Sequence, residues 1–60
     1  MNKRFIGPEE MAAYLDVSIN TVRSWIWMRQ IPYHKLGRLV KFDLQEIDNW
    51  LKIRKVEMID

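Results

Sequence analysis

The architecture of this chain is encoded most clearly in residues 8–29, which read PEEMAAYLDVSINTVRSWIWMR. Pro8 suits the first turn of a helix, where its missing N–H costs no hydrogen bond, and the two glutamates after it complement the positive end of the helix dipole. Met11 and Leu15 lie one helical turn apart and predict an apolar stripe. The pattern breaks at residues 16–18, so we expect a first helix of only about two turns.

A second helix is predicted to begin after Ser18, whose hydroxyl can accept a hydrogen bond from an amide two or three residues further on. It is expected to cover residues 19–29 and to stop before the next proline. At about 100° per residue, Val22, Trp25 and Ile26 share one side, which is predicted to face the core. The opposite side combines three polar residues with one large aromatic ring: Asn20, Arg23, Ser24 and Trp27.

Residues 33–42, which read YHKLGRLVKF, are predicted to form a β-hairpin that turns at Gly37. A two-residue turn would place Lys35 on the same face as Val40. A three-residue turn would instead pair Lys35 with Lys41 and leave both lysines on one face. We favour the three-residue turn, because a slip of one residue would bury a cation.

The segment after the hairpin begins with Asp43-Leu44-Gln45-Glu46, a capping-box pattern that predicts the start of a third helix. Apolar residues recur along it at helical spacing and are expected to pack inward; they are Leu44, Ile47, Trp50 and Leu51. Residues 54–60 are mixed in character and are expected to fray. The prediction is one domain over residues 1–60, mainly α with a small β-hairpin, with an ordered core at about residues 5–53.

Length and composition exclude several classes of protein. The chain has 60 residues, no cysteine and a single histidine, His34. These counts rule out a disulfide scaffold and a Cys-ligated zinc site, and they leave no His pair for a metal and no spare imidazole for a catalytic triad. We therefore expect no enzymatic activity, no cofactor, no metal and no small-molecule ligand. No apolar run approaches the roughly 20 residues of a membrane span, and no signal-peptide pattern is present, so a cytoplasmic protein is expected.

The charge is distributed unevenly, although the net charge is only +2. Residues 18–42 contain five basic residues and no acidic one, whereas residues 1–17 and 43–60 are both net acidic. A central basic block of this kind indicates a surface that binds a polyanion. The alternative is a solvated basic face without a partner, and charge alone does not separate the two.

The connection between the first two helices is too short for antiparallel packing, which favours a helix-turn-helix. The polar face of the second helix would then stay uncovered and fit the major groove of double-stranded DNA. Arg23 is predicted to read a guanine or to bind phosphate, Asn20 to read adenine, and Ser24 to bond either. The hairpin would flank this helix as a wing and bring three cations to the DNA: Lys35, Arg38 and Lys41.

Two apolar residues in this region have several possible roles. Trp27 is predicted to pack on thymine methyl groups or sugar edges, to contact another protein, or to be buried by a rotation of the second helix. Leu39, at the hairpin tip, is predicted to enter a minor groove, to contact a neighbouring subunit, or to fold back. The sequence leaves these alternatives open.

Three runs, IGPEEMAAYLDVS (6–18), TVRSWI (21–26) and IPYHKLGR (31–38), together with residues 42–51, resemble the excisionase family of small MerR-type winged helix-turn-helix proteins. The resemblance covers about residues 5–52. It implies that the helix beginning near Ser18 enters the major groove and that the hairpin contacts the adjacent backbone or minor groove. The DNA-binding residues it implies are Ser18, Asn20, Thr21, Arg23, Ser24 and Trp27 on the helix, and Lys35, Arg38 and Lys41 on the wing.

The chain departs from the family at three places. Asp16 stands where Gly or Asn is usual and where the turn needs a positive φ, a region that Asp tolerates better than most residues. Residues 19–20 lack the basic side chains that are common there. Residues 29–31 lack the Gly that commonly precedes the proline of the wing.

Three functions are compatible with these observations. The first is an excisionase, or recombination directionality factor, of which several copies bind and bend DNA and assist an integrase; the acidic segment 57–60 would then contact the integrase or a neighbouring copy. The second is a small transcription regulator of the same fold. The third, from another class, is a protein-interaction module that uses Trp27 and Leu39 and binds no nucleic acid.

Overall fold

The structure is a computed structural model and describes residues 4–56. The predicted helices and hairpin are present, together with a short first strand that the sequence did not predict. The acidic segment 57–60 lies outside the described residues. In chain order the elements are β1 (Phe5–Ile6), α1 (Pro8–Leu15), α2 (Ile19–Trp27), β2 (His34–Leu36), β3 (Leu39–Asp43) and α3 (Leu44–Ile53).

The turn between α1 and α2 closes as the sequence predicted. Asp16 adopts a φ of 56°, and its amide donates to the carbonyl of Ala13 at 3.2 Å. The amide of Val17 donates to the carbonyl of Ala12 at 2.9 Å. This pair of hydrogen bonds is the Schellman arrangement, in which the left-handed residue directs the chain away from the helix axis. Ser18 then caps α2, because its Oγ accepts a hydrogen bond from the amide of Thr21 at 3.1 Å.

The end of α2 differs from the prediction. The helix stops at Trp27, two residues before the expected end, because Arg29 adopts a φ of 56°. The amide of Gln30 reaches back to the carbonyl of Trp25 at 2.8 Å, and the amide of Arg29 donates to the carbonyl of Ile26 at 3.1 Å. A second Schellman turn therefore forms, with arginine as its left-handed residue.

The three strands form one antiparallel sheet in the order β1-β3-β2. In the hairpin Leu36 lies opposite Leu39, so the turn has two residues and Gly37 takes a φ of 64°. The predicted three-residue turn is wrong: Lys35 lies opposite Val40, and Lys41 lies opposite His34. The prediction assumed that this register would bury Lys35, but the hairpin projects past the core and Lys35 remains exposed.

The core combines one side of each helix with the central strand. Met11, Val22, Phe42 and Ile47 are fully buried. Trp25 and Trp50 pack edge to face at 5.8 Å on the margin of this cluster, and the indole N–H of Trp50 donates to the carbonyl of Gln30 at 3.0 Å.

One of the residues predicted to pack inward does not do so. Leu51 is 38% exposed, because α3 continues for six residues beyond Ile47, its last buried residue. Within residues 4–56, no helix combines the length and apolar character needed to cross a membrane.

Asp43 joins the sheet to α3. Its Oδ1 accepts a hydrogen bond from the amide of Gln45 at 2.9 Å, which caps the helix. Its Oδ2 accepts from Nε and Nη2 of Arg4 at 3.2 and 3.1 Å, and these hydrogen bonds lower the pKa of Asp43 below its ordinary value. Glu46, which the capping-box pattern assigned to the backbone of Asp43, instead pairs with His34.

Candidate nucleic-acid interface

The side of α2 that faces away from the core is exposed, as the periodicity predicted. Trp27 is 88% exposed, which makes it one of the most exposed large apolar side chains of the described region. The interpretation in which the helix rotates to bury Trp27 is therefore wrong. The exposed residues along this side are Asn20, Arg23, Ser24 and Trp27.

Ser18 and Thr21, at the start of α2, are engaged by the fold. Besides capping the helix, Ser18 Oγ lies 2.9 Å from the hydroxyl oxygen of Thr21, and the two share a hydrogen bond. Ser18 is exposed and Thr21 is half-buried. The first task of this pair is to fix where α2 begins, which in turn determines the direction in which Arg23 points.

The three predicted wing cations do not form one row. Arg38 lies in the exposed turn of the hairpin. Lys35 shares a face of the sheet with Val40, whereas Lys41 lies on the opposite face with His34, because neighbouring positions of a strand alternate. The ammonium nitrogen of Lys41 lies 3.9 Å from the position that a side-chain carbon on Gly7 would occupy.

Three of the predicted site residues, Arg23, Trp27 and Lys35, line two separate grooves. The first, which we call the α1–α2 groove, is lined by Ile19 and Arg23 of α2 and by residues 7–10, which include Glu9 and Glu10. Lys41 lies beside Gly7 at its edge. The second, which we call the α2–wing groove, is lined by Ile26, Trp27, Arg29, Tyr33, Lys35 and Val40. The hairpin thus brings Lys35 to Trp27, as the prediction of a flanking wing requires.

Arg29 and Tyr33 belong to the α2–wing groove but were missed by sequence reasoning. Arg29 was expected to be the last residue of a helix covering residues 19–29, whereas it adopts a left-handed conformation beyond the helix end and is exposed. Tyr33 precedes β2 and is half-buried. Pro32 indicated that the helix ends before it, but no local pattern located the turn at Arg29.

The cations of residues 18–42 have no acidic partner within the described region. The ion pairs of that region join Arg4 to Asp43 and His34 to Glu46. Arg23, Arg29, Lys35 and Arg38 are exposed and unpaired within residues 4–56, and Lys41 is half-buried. An unpaired basic surface of this kind favours a polyanion as its partner.

A second cluster of polar residues lies where β1, β2 and α3 meet. The ligand-type atoms of His34, Asp43 and Glu46 lie within 4.8 Å of one another. Both oxygens of Asp43 already accept hydrogen bonds, and His34 also packs against the ring of Phe5 edge to face at 5.9 Å. These contacts account for the cluster as a link between elements, and the absence of a bound metal stays a prediction.

Two helices joined by a tight turn, with the outer face of the second uncovered and a basic hairpin beside it, define the class of small helix-turn-helix domains. A family model described as "Helix-turn-helix domain" matches residues 5–54. The chain therefore belongs to this helix-turn-helix family, which indicates DNA binding. The comparisons found no matching curated protein and no matching solved structure.

Proposed function

We propose that this protein binds double-stranded DNA with sequence preference, with α2 in the major groove and the hairpin across the adjacent backbone or minor groove. The observation that carries the proposal is the exposed outer face of α2, which carries Arg23 and is flanked on the side of the hairpin by the unpaired cations Arg29 and Lys35. A helix of this size fits the major groove, and the cations provide the electrostatic contribution that dominates affinity.

The side chains on the first turns of α2 are the proposed base readers. Arg23 offers a bidentate donor pair for the O6 and N7 atoms of guanine. The side-chain amide of Asn20 offers one donor and one acceptor, which match N7 and the N6 amino group of adenine. Ser24, one residue after Arg23 on the same exposed side, bonds either a base edge or a phosphate. Ser18 and Thr21 contribute mainly by setting the start of the helix.

The biological role we favour is that of an excisionase that acts with an integrase on a bacterial or phage element in the cytoplasm. The support is the resemblance of residues 5–52 to that family. A single module of this size makes a small footprint on DNA, so several copies on adjacent sites are expected. A transcription regulator of the same fold is the alternative.

DNA binding itself is tested by titrating a duplex at several salt concentrations. The five cations of residues 18–42 predict a slope of about −4 to −5 in a plot of log K against log salt concentration if each neutralises one phosphate, and about one unit less if Arg23 contacts only a base. A slope indistinguishable from zero would eliminate DNA binding and leave the protein-interaction module, for which the exposure of Trp27 is the favourable observation.

The biological role is tested by footprinting on the DNA that flanks the gene, with and without an integrase. An excisionase is expected to protect several adjacent sites and to change the footprint of the integrase. Protection of a promoter alone, with no effect of integrase, would favour the transcription regulator.

A further inference from the structure

The α2–wing groove contains more than the predicted DNA-binding residues account for. Its floor is apolar, formed by the half-buried side chains of Ile26 and Val40. The rings of Trp27 and Tyr33 contribute aromatic walls, and each ring carries a polar N–H or O–H group. The groove also contains two cations, Arg29 and Lys35.

Both cations reach this groove through backbone features that are specific to the observed structure. Arg29 is turned out of the helix by its left-handed conformation, in which φ is 56°. Lys35 faces the groove because the hairpin turn has two residues and places it opposite Val40. Neither cation has an acidic partner within residues 4–56, so the fold itself does not explain why two positive charges flank an apolar floor.

The combination of an apolar surface and adjacent cations selects its ligand. Two unpaired cations favour an anion, which excludes a purely apolar partner. A nucleotide strand alternates anionic phosphates with sugars whose ring carbons are apolar, and side chains commonly anchor DNA at these two groups. Base edges carry no negative charge and therefore match this groove less well.

We propose that the α2–wing groove holds one strand of the duplex by its deoxyribose-phosphate backbone. Trp27 packs on a deoxyribose, while Arg29 and Lys35 bind the phosphates on either side of it. The inference rests on the proposed DNA binding and adds a division of labour along α2. The residues around Arg23 read bases, whereas the end of the helix anchors the backbone whatever the sequence.

The first test is the effect of Trp27→Ala on binding to several duplex sequences and at several salt concentrations. We expect about a tenfold loss of affinity, equal for all sequences, with an unchanged salt slope, because the lost contact is apolar. Trp27→Phe, the matched control, is expected to keep most of the affinity. Trp27 is 88% exposed, so the melting temperature should not change.

The second test locates the strand. Each phosphate of the duplex is replaced in turn by an uncharged methylphosphonate, and binding is measured for the wild type and for Lys35→Gln and Arg29→Gln. Each variant should lower the salt slope by about one unit. Each variant should lose sensitivity to the replacement of one particular phosphate, although the same replacement weakens binding by the wild type. The two phosphates identified in this way should be neighbours along one strand.

Other results would overturn the inference without touching the proposed function. If replacing one thymine by uracil removes the effect of Trp27→Ala, the indole reads a methyl group and not the backbone. If the wild type binds DNA with the expected slope while all three variants bind equally well, the groove does not contact DNA. A wild type without salt-dependent binding would instead refute the proposed function itself.

Discussion

The two sides of the hairpin use their charges differently. Where β1, β2 and α3 meet, Arg4 is bound to Asp43 and His34 contacts Glu46. In the α2–wing groove, Arg29 and Lys35 have no acidic partner within residues 4–56.

An ion pair that is satisfied inside the protein holds elements together, whereas a cation left unpaired stays available to a polyanion. The role of each cation therefore depends on its position in the fold and not on the net charge of +2.

The largest expected effect concerns DNA binding. The α2–wing groove, with its unpaired cations, should contribute to it, and the cluster of ion pairs around Asp43 should not. We expect the combined variant Arg29→Gln and Lys35→Gln to reduce the salt slope by about two units, because each cation neutralises about one phosphate. The matched control, Arg4→Gln, should leave the slope unchanged. Salt-dependent titration of a labelled duplex measures both, and an equal reduction in the control would refute the assignment.

Among the unpaired cations, a second measurement distinguishes contacts to bases from contacts to the DNA backbone. Arg23→Ala is expected to cost about 1–3 kcal/mol at the preferred site and to relax the preference at one base pair. Affinity measured on a set of single-base variants of the site checks this. A uniform loss over all sequences would make Arg23 a phosphate contact, like the cations of the α2–wing groove.

The turn at Arg29 predicts opposite effects on stability and on binding. Glycine adopts positive φ without strain, so Arg29→Gly should stabilise the protein by up to about 1 kcal/mol while weakening DNA binding. Asp16→Gly, at the other left-handed turn, is the control: it should stabilise by a smaller amount, because Asp tolerates this region better than Arg, and leave DNA binding intact. Denaturant unfolding and duplex titration measure the two quantities. Weakened binding in both variants would mean that backbone geometry, and not the charge of Arg29, is what the DNA requires.

The paired side predicts the smallest effect, a dependence of stability on pH. Arg4 lowers the pKa of Asp43 in the folded protein, so the ionised carboxylate is favoured by folding. Its contribution is fully present above the ordinary aspartate pKa of about 3.9 and is lost as the pH falls through the lower folded pKa.

Asp43→Asn should keep the helix cap but lose this part of the pH dependence, since asparagine is also a good N-cap. Melting temperatures between neutral and acid pH measure the difference. Identical pH profiles for the wild type and the variant would show that Arg4 does not bias the ionisation of Asp43.

The helices and the exposed face of α2 could be predicted from the sequence because their signals are local. Pro8, Ser18 and Asp43 each mark a helix start, and the helical period separates Val22 from Arg23 unambiguously. These local features are sufficient to predict the candidate interface.

The features that were missed or mistaken depend on tertiary context. β1 has only two residues, which is too short for a strand pattern, and it is held by pairing with β3 far along the chain. The hairpin register was judged by the cost of burying Lys35, a cost that disappears because the hairpin extends beyond the core. The contact between Arg4 and Asp43 spans 39 positions and has no local signature.

The central claim, that duplex DNA lies against the outer face of α2 and the groove beside it, is tested most directly by NMR of the three indole N–H groups during titration with a duplex. The signal of the exposed Trp27 is expected to shift with saturation. The signals of Trp25 and Trp50, which pack against each other with the Trp50 N–H bound to Gln30, should stay in place. An unchanged Trp27 signal, with shifts confined to the cluster around Asp43 and Glu46, would contradict the account.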